Sequence, residues 1–194
     1  EGLTFNNVEN PQETQTNHFQ FDTLPSVKFR SPTVHDGHAV TALIKNSPPL
    51  DNNSPYCNLL QCTHFAQTCV IAESDNRIVG WLSAYIPPNQ LDHIFVWQLA
   101  VHQEARGKGL AKHLLSALLN RQALAKVRYL ITTITQDNQA SWSVFERFAT
   151  SHQLHLDKTP YFEKEPHFNG VHETELLAKI GPFDIQKILS NQGV

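Results

Sequence analysis

Four consecutive residues, Arg106-Gly107-Lys108-Gly109, have the composition of an anion cradle. Glycines let backbone N–H groups come close to a ligand, while Arg and Lys add full positive charge, and Arg can grip a phosphate with two parallel hydrogen bonds. The apolar run Ile94-Phe95-Val96-Trp97-Gln98-Leu99-Ala100-Val101 precedes them, and Leu110, Leu114, Leu115 and Leu118 follow at helical spacing. A strand, a glycine turn and a helix in that order aim the helix's unpaired amides and positive dipole end at the turn. Neither GxxxxGK[ST] nor GxGxxG is present. A surface turn whose glycines only permit tight packing is the plainer alternative, and the flanking strand and helix weigh against it.

Arg106-x-x-Gly109-x-Ala111 and Asn138-Gln139-Ala140-Ser141-Trp142-Ser143-Val144-Phe145 together resemble the two cofactor segments of the GCN5-related N-acetyltransferase (GNAT) family. The resemblance covers roughly residues 27–182. It implies that acetyl-CoA is the co-substrate, with its diphosphate on Arg106, Gly107, Lys108, Gly109, Leu110 and Ala111 and further contacts from Asn138 and Ser141. It also implies a bulged, splayed strand over 97–101, where Leu99 and Val101 pair with the pantetheine arm and an amide near Leu99 polarises the thioester carbonyl. Many relatives end the second segment in Tyr, which can protonate the leaving thiolate. Phe145 cannot, which leaves solvent, the substrate's own ammonium, another side chain such as Tyr161, or no acid at all, and none of these is assigned.

Further stretches sharpen the resemblance: Ser47-Pro48-Pro49-Leu50-Asp51 with the following Asn53 to Cys62, Phe95-Val96-Trp97-Gln98, Thr132-Thr133-Ile134-Thr135, and His172-x-Thr174-Glu175. They are similar to the family members that acetylate the γ-nitrogen of a small diamino acid, 2,4-diaminobutyrate, on the way to ectoine. Such a substrate brings two ammonium groups, and an aliphatic ammonium is not a nucleophile. One nitrogen must stay charged while the other gives up its proton to a base. Asp51 and Glu175 are the carboxylates expected to divide these tasks. Tyr56 and Asn58 are expected to donate to the substrate carboxylate, Trp97 to wall the aliphatic stem, and His172 to share a face with Glu175 or relay a proton. Each has a bland reading as well: Asp51 as a turn or helix cap, Tyr56 and Trp97 as core aromatics, His172 and Glu175 as solvated surface. Trp81 and Trp142 are read as core.

The elements needed to hold these residues are legible in outline. A strand is predicted at 27–30. A helix follows from a Thr33 cap with Val40, Leu43 and Ile44 inward, stopped by Pro48-Pro49. A second helix begins at Ser54-Pro55 and carries Tyr56, Leu59, Leu60 and Phe65. A hairpin turns at Ser74-Asp75-Asn76, and the strand 94–101 comes next. Then come helix 108–121, strand 127–134, helix 138–151 and a last strand at 174–180. The order predicts an α/β (α+β) fold, one domain over 27–183 with a mixed, mostly antiparallel sheet flanked by helices. Residues 1–26 are expected to be a polar, flexible tail and 184–194 a C-terminal tail.

Composition narrows the function classes. A net charge of −3 supplies no basic face for nucleic acid or a polybasic membrane contact. No apolar run approaches the roughly 20 residues that span a bilayer, and the opening residues lack the blocks of a secretory leader. Cys57, Cys62 and Cys69 are odd in number and fit no common zinc spacing, and the histidines are scattered without HExxH, so no metal is expected. Reduced thiols favour the cytoplasm. The family resemblance implies a homodimer. The alternatives are a relative acting on a polyamine, an aminoglycoside or a protein N-terminus, or a CoA-binding protein without turnover.

Overall fold

The computed structural model describes residues 18–21 and 24–190. Eight strands form one sheet in the order β1-β2-β3-β4-β5-β6-β8-β7: β1 His18–Phe21, β2 Leu24–Arg30, β3 Val70–Ser74, β4 Arg77–Tyr85, β5 His93–Val101, β6 Tyr129–Thr135, β7 Leu156–Phe162 and β8 Glu175–Ile180. Every pairing is antiparallel except β5 with β6. Helices α1 Gly37–Lys45 and α2 Pro55–Thr63 precede the β3–β4 hairpin. Helices α3 Leu110–Leu119 and α4 Gln139–Ser151 follow β5 and β6, and two short helices, α5 Lys164–Phe168 and α6 Ile185–Ser190, come last.

The sheet is covered on both faces. The leucines predicted to line one side of α3 are all buried against β3, β4 and β5, together with Trp142, Phe145 and Phe148 of α4. Burying each of these side chains is worth about 1.5–3 kcal/mol in transfer terms. Val40, Leu43 and Ile44 of α1 pack with Trp81, Ile71 and Cys62 in a second cluster. Trp81 and Trp142 are core, as expected.

Several expectations are corrected. β1 and the start of β2 fall inside the stretch read as a flexible tail, and residues 1–17 and 22–23 of that stretch lie outside the described residues. β2 is held by backbone pairing with β3, Lys28 opposite Glu73, and such a ladder needs no side-chain periodicity to declare itself. The expected C-terminal tail contains α6, whose Ile185 and Ile188 join the core one turn apart, and residues 191–194 lie outside the described residues. β7 and α5 were not predicted. β7 is an exposed edge strand containing Pro160, a residue that an edge tolerates and that hides a strand from pattern reading. Helix α2 presents the opposite face from the one expected: Tyr56, Leu59 and Phe65 beyond its end are exposed, and Asn58, Gln61 and Cys62 are buried.

Candidate active site

Two structural faults in β5 create the site. Opposite β4, Ser83 faces Gln98 but Ala84 faces Val96, so Trp97 is the extra residue of a bulge. Opposite β6, parallel pairing runs only from His93 to Phe95, with a last tie from the Thr132 hydroxyl to the Val96 carbonyl at 2.9 Å. Beyond it the strands part. His102 N–H donates to the Val79 carbonyl at 2.9 Å, which fixes the alternation of the antiparallel pair. Ala100 and Gln98 therefore point their backbone groups at β4, while those of Leu99 and Val101 face the opening. The Arg106 guanidinium takes up one of these free groups, donating from Nε to the Val101 carbonyl at 3.1 Å.

A cleft of about 410 Å³ follows from this opening. Leu99, Val101, Arg106, Gly107, Gly109, Leu110, Ala111, Asn138 and Ser141 line it, which brings together nearly all the expected cofactor residues. Lys108 is the exception: it sits between two lining glycines without lining the cleft. Gly107 and Gly109 hold left-handed backbone, φ 75° and 77°, and a Cβ on either would meet nothing within 4 Å. The left-handed turn, not crowding, is what requires glycine there, and the open space in front of it suits a diphosphate facing the first amides of α3. Asn138 caps α4 by accepting from Ser141 N–H at 3.1 Å, so its carbonyl oxygen positions the helix that forms the cleft's other wall. Arg147, also in the lining, was not anticipated.

A smaller cavity of about 180 Å³ opens between the parted strands. Asp51, Trp97, Thr132, Thr133, Thr135 and Glu175 line it, along with Asn53 and Gln98. The two cavities have Pro49, Leu50, Leu99, Asn138, Ser141 and Phe145 in common, so they meet at Leu99 and Phe145. A larger cavity of about 790 Å³, beside the end of α4 and the start of α6, is lined by none of the expected site residues. Size does not mark the site.

The chemistry at the small cavity comes from two distant segments, Asp51 and the pair His172 and Glu175. His172 Nε2 lies 3.5 Å from Asp51 Oδ2 and 3.9 Å from Glu175 Oε1. Its Nδ1 donates to the Glu173 carbonyl at 2.7 Å, so a neutral ring would turn a lone pair toward two carboxylates. That bond, then Asp51 and Glu175, raise the His172 pKa above its ordinary value. Burial pushes the Glu175 carboxyl up, against the opposing pull of His172 and of a hydrogen bond from Thr133. The Glu175 side chain is only 16% exposed, whereas that of Asp51 is 81% exposed. Trp97 is not core: it is 43% exposed, with its ring edge against Tyr85.

Three expected substrate ligands line neither cavity: His172, which stands behind Glu175, and Tyr56 and Asn58. Tyr56 is 69% exposed and lines neither. Asn58 is fully buried, and both ends of its amide are used: Nδ2 donates to Thr41 Oγ1 at 2.8 Å, and Oδ1 accepts from Asn53 Nδ2 at 3.1 Å. The α2 face that packs inward is the one bearing Asn58, so its amide belongs to the scaffold. Thr133 and Gln98 were missed as site residues. A glutamine in an otherwise apolar strand was the available signal for the second.

Comparison with known proteins places the chain among acetyltransferases. The model of the acetyltransferase (GNAT) family matches residues 39–149. L-2,4-diaminobutyric acid acetyltransferase of Vibrio cholerae is 46% identical over 157 residues, 81% of this chain and 90% of that protein. Its counterpart in Vibrio parahaemolyticus is 44% identical over 158 residues, 80% of this chain and 87% of that protein. The structure of diaminobutyrate acetyltransferase EctA from Paenibacillus lautus, in complex with L-2,4-diaminobutyric acid and coenzyme A, superposes with a TM-score of 0.77 at 39% identity, covering 80% of this chain and 95% of that one.

Proposed function

The chain belongs to the acetyltransferase (GNAT) family, and from that premise we propose that it transfers acetyl from acetyl-CoA to the γ-amine of L-2,4-diaminobutyrate, giving N4-acetyl-L-2,4-diaminobutyrate for ectoine synthesis. One observation carries the reading beyond the likeness: the diphosphate-compatible cleft and the carboxylate-bearing cavity share a wall at Leu99 and Phe145. Two such cavities in contact suit direct transfer with both substrates bound.

Bound acetyl-CoA supplies the acetyl group as an activated thioester. The cradle at 106–111 and the outward N–H of Val101, whose carbonyl Arg106 already holds, fix where that thioester lies, and the outward amide of Leu99 is available to a carbonyl oxygen as it gains charge. Glu175, shielded and with its affinity for protons raised, is suited to take the proton of the γ-ammonium. Asp51 at the exposed mouth suits the α-ammonium, which stays charged. His172, with its affinity for protons raised between the two carboxylates, lessens the repulsion between Asp51 and Glu175 whenever its ring is protonated. Trp97 offers a ring face to the aliphatic stem. Only the nitrogen beside the thioester reacts, so geometry sets the regiochemistry.

Incubation with acetyl-CoA and L-2,4-diaminobutyrate, with the product mapped by NMR, tests this; acetyl on the α-nitrogen, or none transferred, rejects it. Phe145, buried at the junction and without a proton to donate, favours one rival, a CoA-binding protein without turnover. Free thiol released with any amine of a panel excludes that rival. The same reading includes a cytoplasmic homodimer. The three free cysteines suit a reducing compartment, and the exposed β7 edge with Tyr161 and Phe162 suits a second copy.

A further inference from the structure

The segment between α1 and α2 carries Asp51 and walls both cavities with Pro49 and Leu50. A single line of side-chain amides ties it to the sheet. Gln98 of β5, 5% exposed, donates from Nε2 to the Asp51 carbonyl oxygen at 2.7 Å. Its Oε1 accepts from Asn53 Nδ2 at 2.8 Å. The other hydrogen of that same Asn53 amide is directed at Asn58 Oδ1, 3.1 Å away. Asn58 Nδ2 then donates to Thr41 Oγ1 at 2.8 Å, and Thr41 closes the line on the Gly37 carbonyl at 2.8 Å.

The line runs outward from Asn53, whose amide nitrogen donates both ways. Gln98 and Asn58 each accept from it and donate onward; flipping either would set donor against donor, and flipping Asn53 would set acceptor against acceptor. It joins three elements at chosen points: α1 through Thr41, α2 through Asn58, and β5 next to the bulge through Gln98. Gln98 is also the residue between Trp97 and Leu99, both of which line the acceptor cavity. Its own N–H lies 3.2 Å from Ser83 Oγ at the register shift. The residue that fixes the β5 bulge therefore also fixes the backbone of Asp51. The Asp51 side chain is mostly solvated, and its backbone carbonyl is the point at which the sheet holds it.

We propose that Gln98 is a positioning residue for the acceptor amine: through the Gln98–Asn53–Asn58–Thr41 line it sets the distance between Asp51 and the free Leu99 backbone, and so selects the length of diamine that reaches the thioester. The proposal rests on the reading of Asp51 as an ammonium ligand. Gln98 touches neither reacting atom in this scheme and acts through Asp51. Shorter and longer homologues, 2,3-diaminopropionate and ornithine, are then discriminated by the fixed span, and loosening the span relaxes the discrimination.

The test is a double-variant cycle of Gln98→Leu with Asp51→Ala, assayed with L-2,4-diaminobutyrate, 2,3-diaminopropionate and ornithine. For Gln98→Leu the KM for diaminobutyrate is expected to rise about five- to tenfold. The KM for acetyl-CoA and the dissociation constant for CoA should stay within about twofold, and the preference over the two homologues should shrink. The double variant should be no worse than Asp51→Ala alone, because the two residues act as one unit. An unchanged amine KM and homologue preference in a CoA-binding Gln98→Leu protein overturns the proposal, and so do losses that multiply in the double variant. If Gln98→Leu does not bind CoA, Gln98→Glu, which keeps the shape and the acceptor for Asn53 but loses the donor to Asp51, is judged by the same criteria. Should the wild-type chain acetylate none of the three amines, the functional reading fails by itself. Hydrogen exchange over residues 46–54 then decides the positioning role, with faster exchange in the variant expected and unchanged exchange overturning it.

Discussion

The cleft proposed for the coenzyme and the cavity proposed for the acceptor share a wall, yet they are assembled differently. The cleft draws mainly on two nearly continuous stretches, 99–111 and 138–147, each a strand end or loop running into a helix, with residues 47–50 as a third wall. Its geometry is dictated locally, by two left-handed glycines, a helix start and a strand with unpaired amides. The acceptor cavity is built mainly from side chains, supplied by residues 49–53, 96–99, 132–135 and Glu175, with His172 behind. A diphosphate is the same in every acetyl-CoA enzyme and can be met by backbone. An acceptor amine differs between enzymes and is met by side chains that can change one at a time without disturbing the cradle.

That division predicts substitutions whose effects separate cleanly between the two substrates. The largest loss is expected for Glu175→Gln: kcat/KM for diaminobutyrate should fall by about 100-fold or more, the range for losing a general base, with CoA affinity by calorimetry unchanged. The same variant should erase the acid limb of the pH–rate profile. In the wild-type protein kcat/KM should rise with pH through the raised Glu175 pKa, because the carboxylate is the active form. If full activity survives in Glu175→Gln, the base lies elsewhere. Asp51→Asn should come next, raising the amine KM by about tenfold with little change in the acetyl-CoA KM. Equal shifts in both would break the contrast between the regions.

On the cofactor side, Gly109→Ala forces a Cβ into a left-handed backbone at a cost of about 1–2 kcal/mol, and this should raise the KM for acetyl-CoA by about tenfold while the amine KM holds. A coenzyme KM left at the wild-type value would remove Gly109 from the cradle. A smaller effect concerns stability. Burial raises the folded pKa of Glu175 above the ordinary 4.5, so the unfolded chain ionises this group first. Its contribution is whole below that ordinary value and is lost as pH rises through the folded pKa. Glu175→Gln should therefore melt slightly higher than wild type at pH 8, by less than about 4 °C, and gain nothing at pH 4. Scanning calorimetry at both values checks the sign. Smallest of all, Tyr56→Phe should leave both KM values within about twofold, since its hydroxyl is on neither cavity. A marked rise in the amine KM would instead bring α2 into the pocket.

The contrast also explains how much could be read in advance. Residues Arg106 to Ala111, with Asn138 and Ser141, were legible because each stretch carries its own geometry, and the structure puts all of them but Lys108 at the cleft. Asn58 was misassigned because a polar side chain on a short helix gives no sign of which face packs inward, and α2 buries the face that hydrophobic spacing did not choose. Thr133 and Gln98 stayed hidden because their partners, Glu175, Asp51 and Asn53, lie 42 or more positions away and meet them only across the sheet.

By itself, then, the sequence determined the α/β class, the strand–turn–helix proposed for the diphosphate, and the carboxylates proposed for the amine. These follow from backbone conformation and short-range periodicity, which neighbouring residues impose on one another. Tertiary structure alone decided that β5 and β6 part after Phe95, that His172 stands between Asp51 and Glu175, and that the two cavities touch. Those facts depend on strand pairing and packing between distant segments, where a shift of one register position would turn each side chain to the other face.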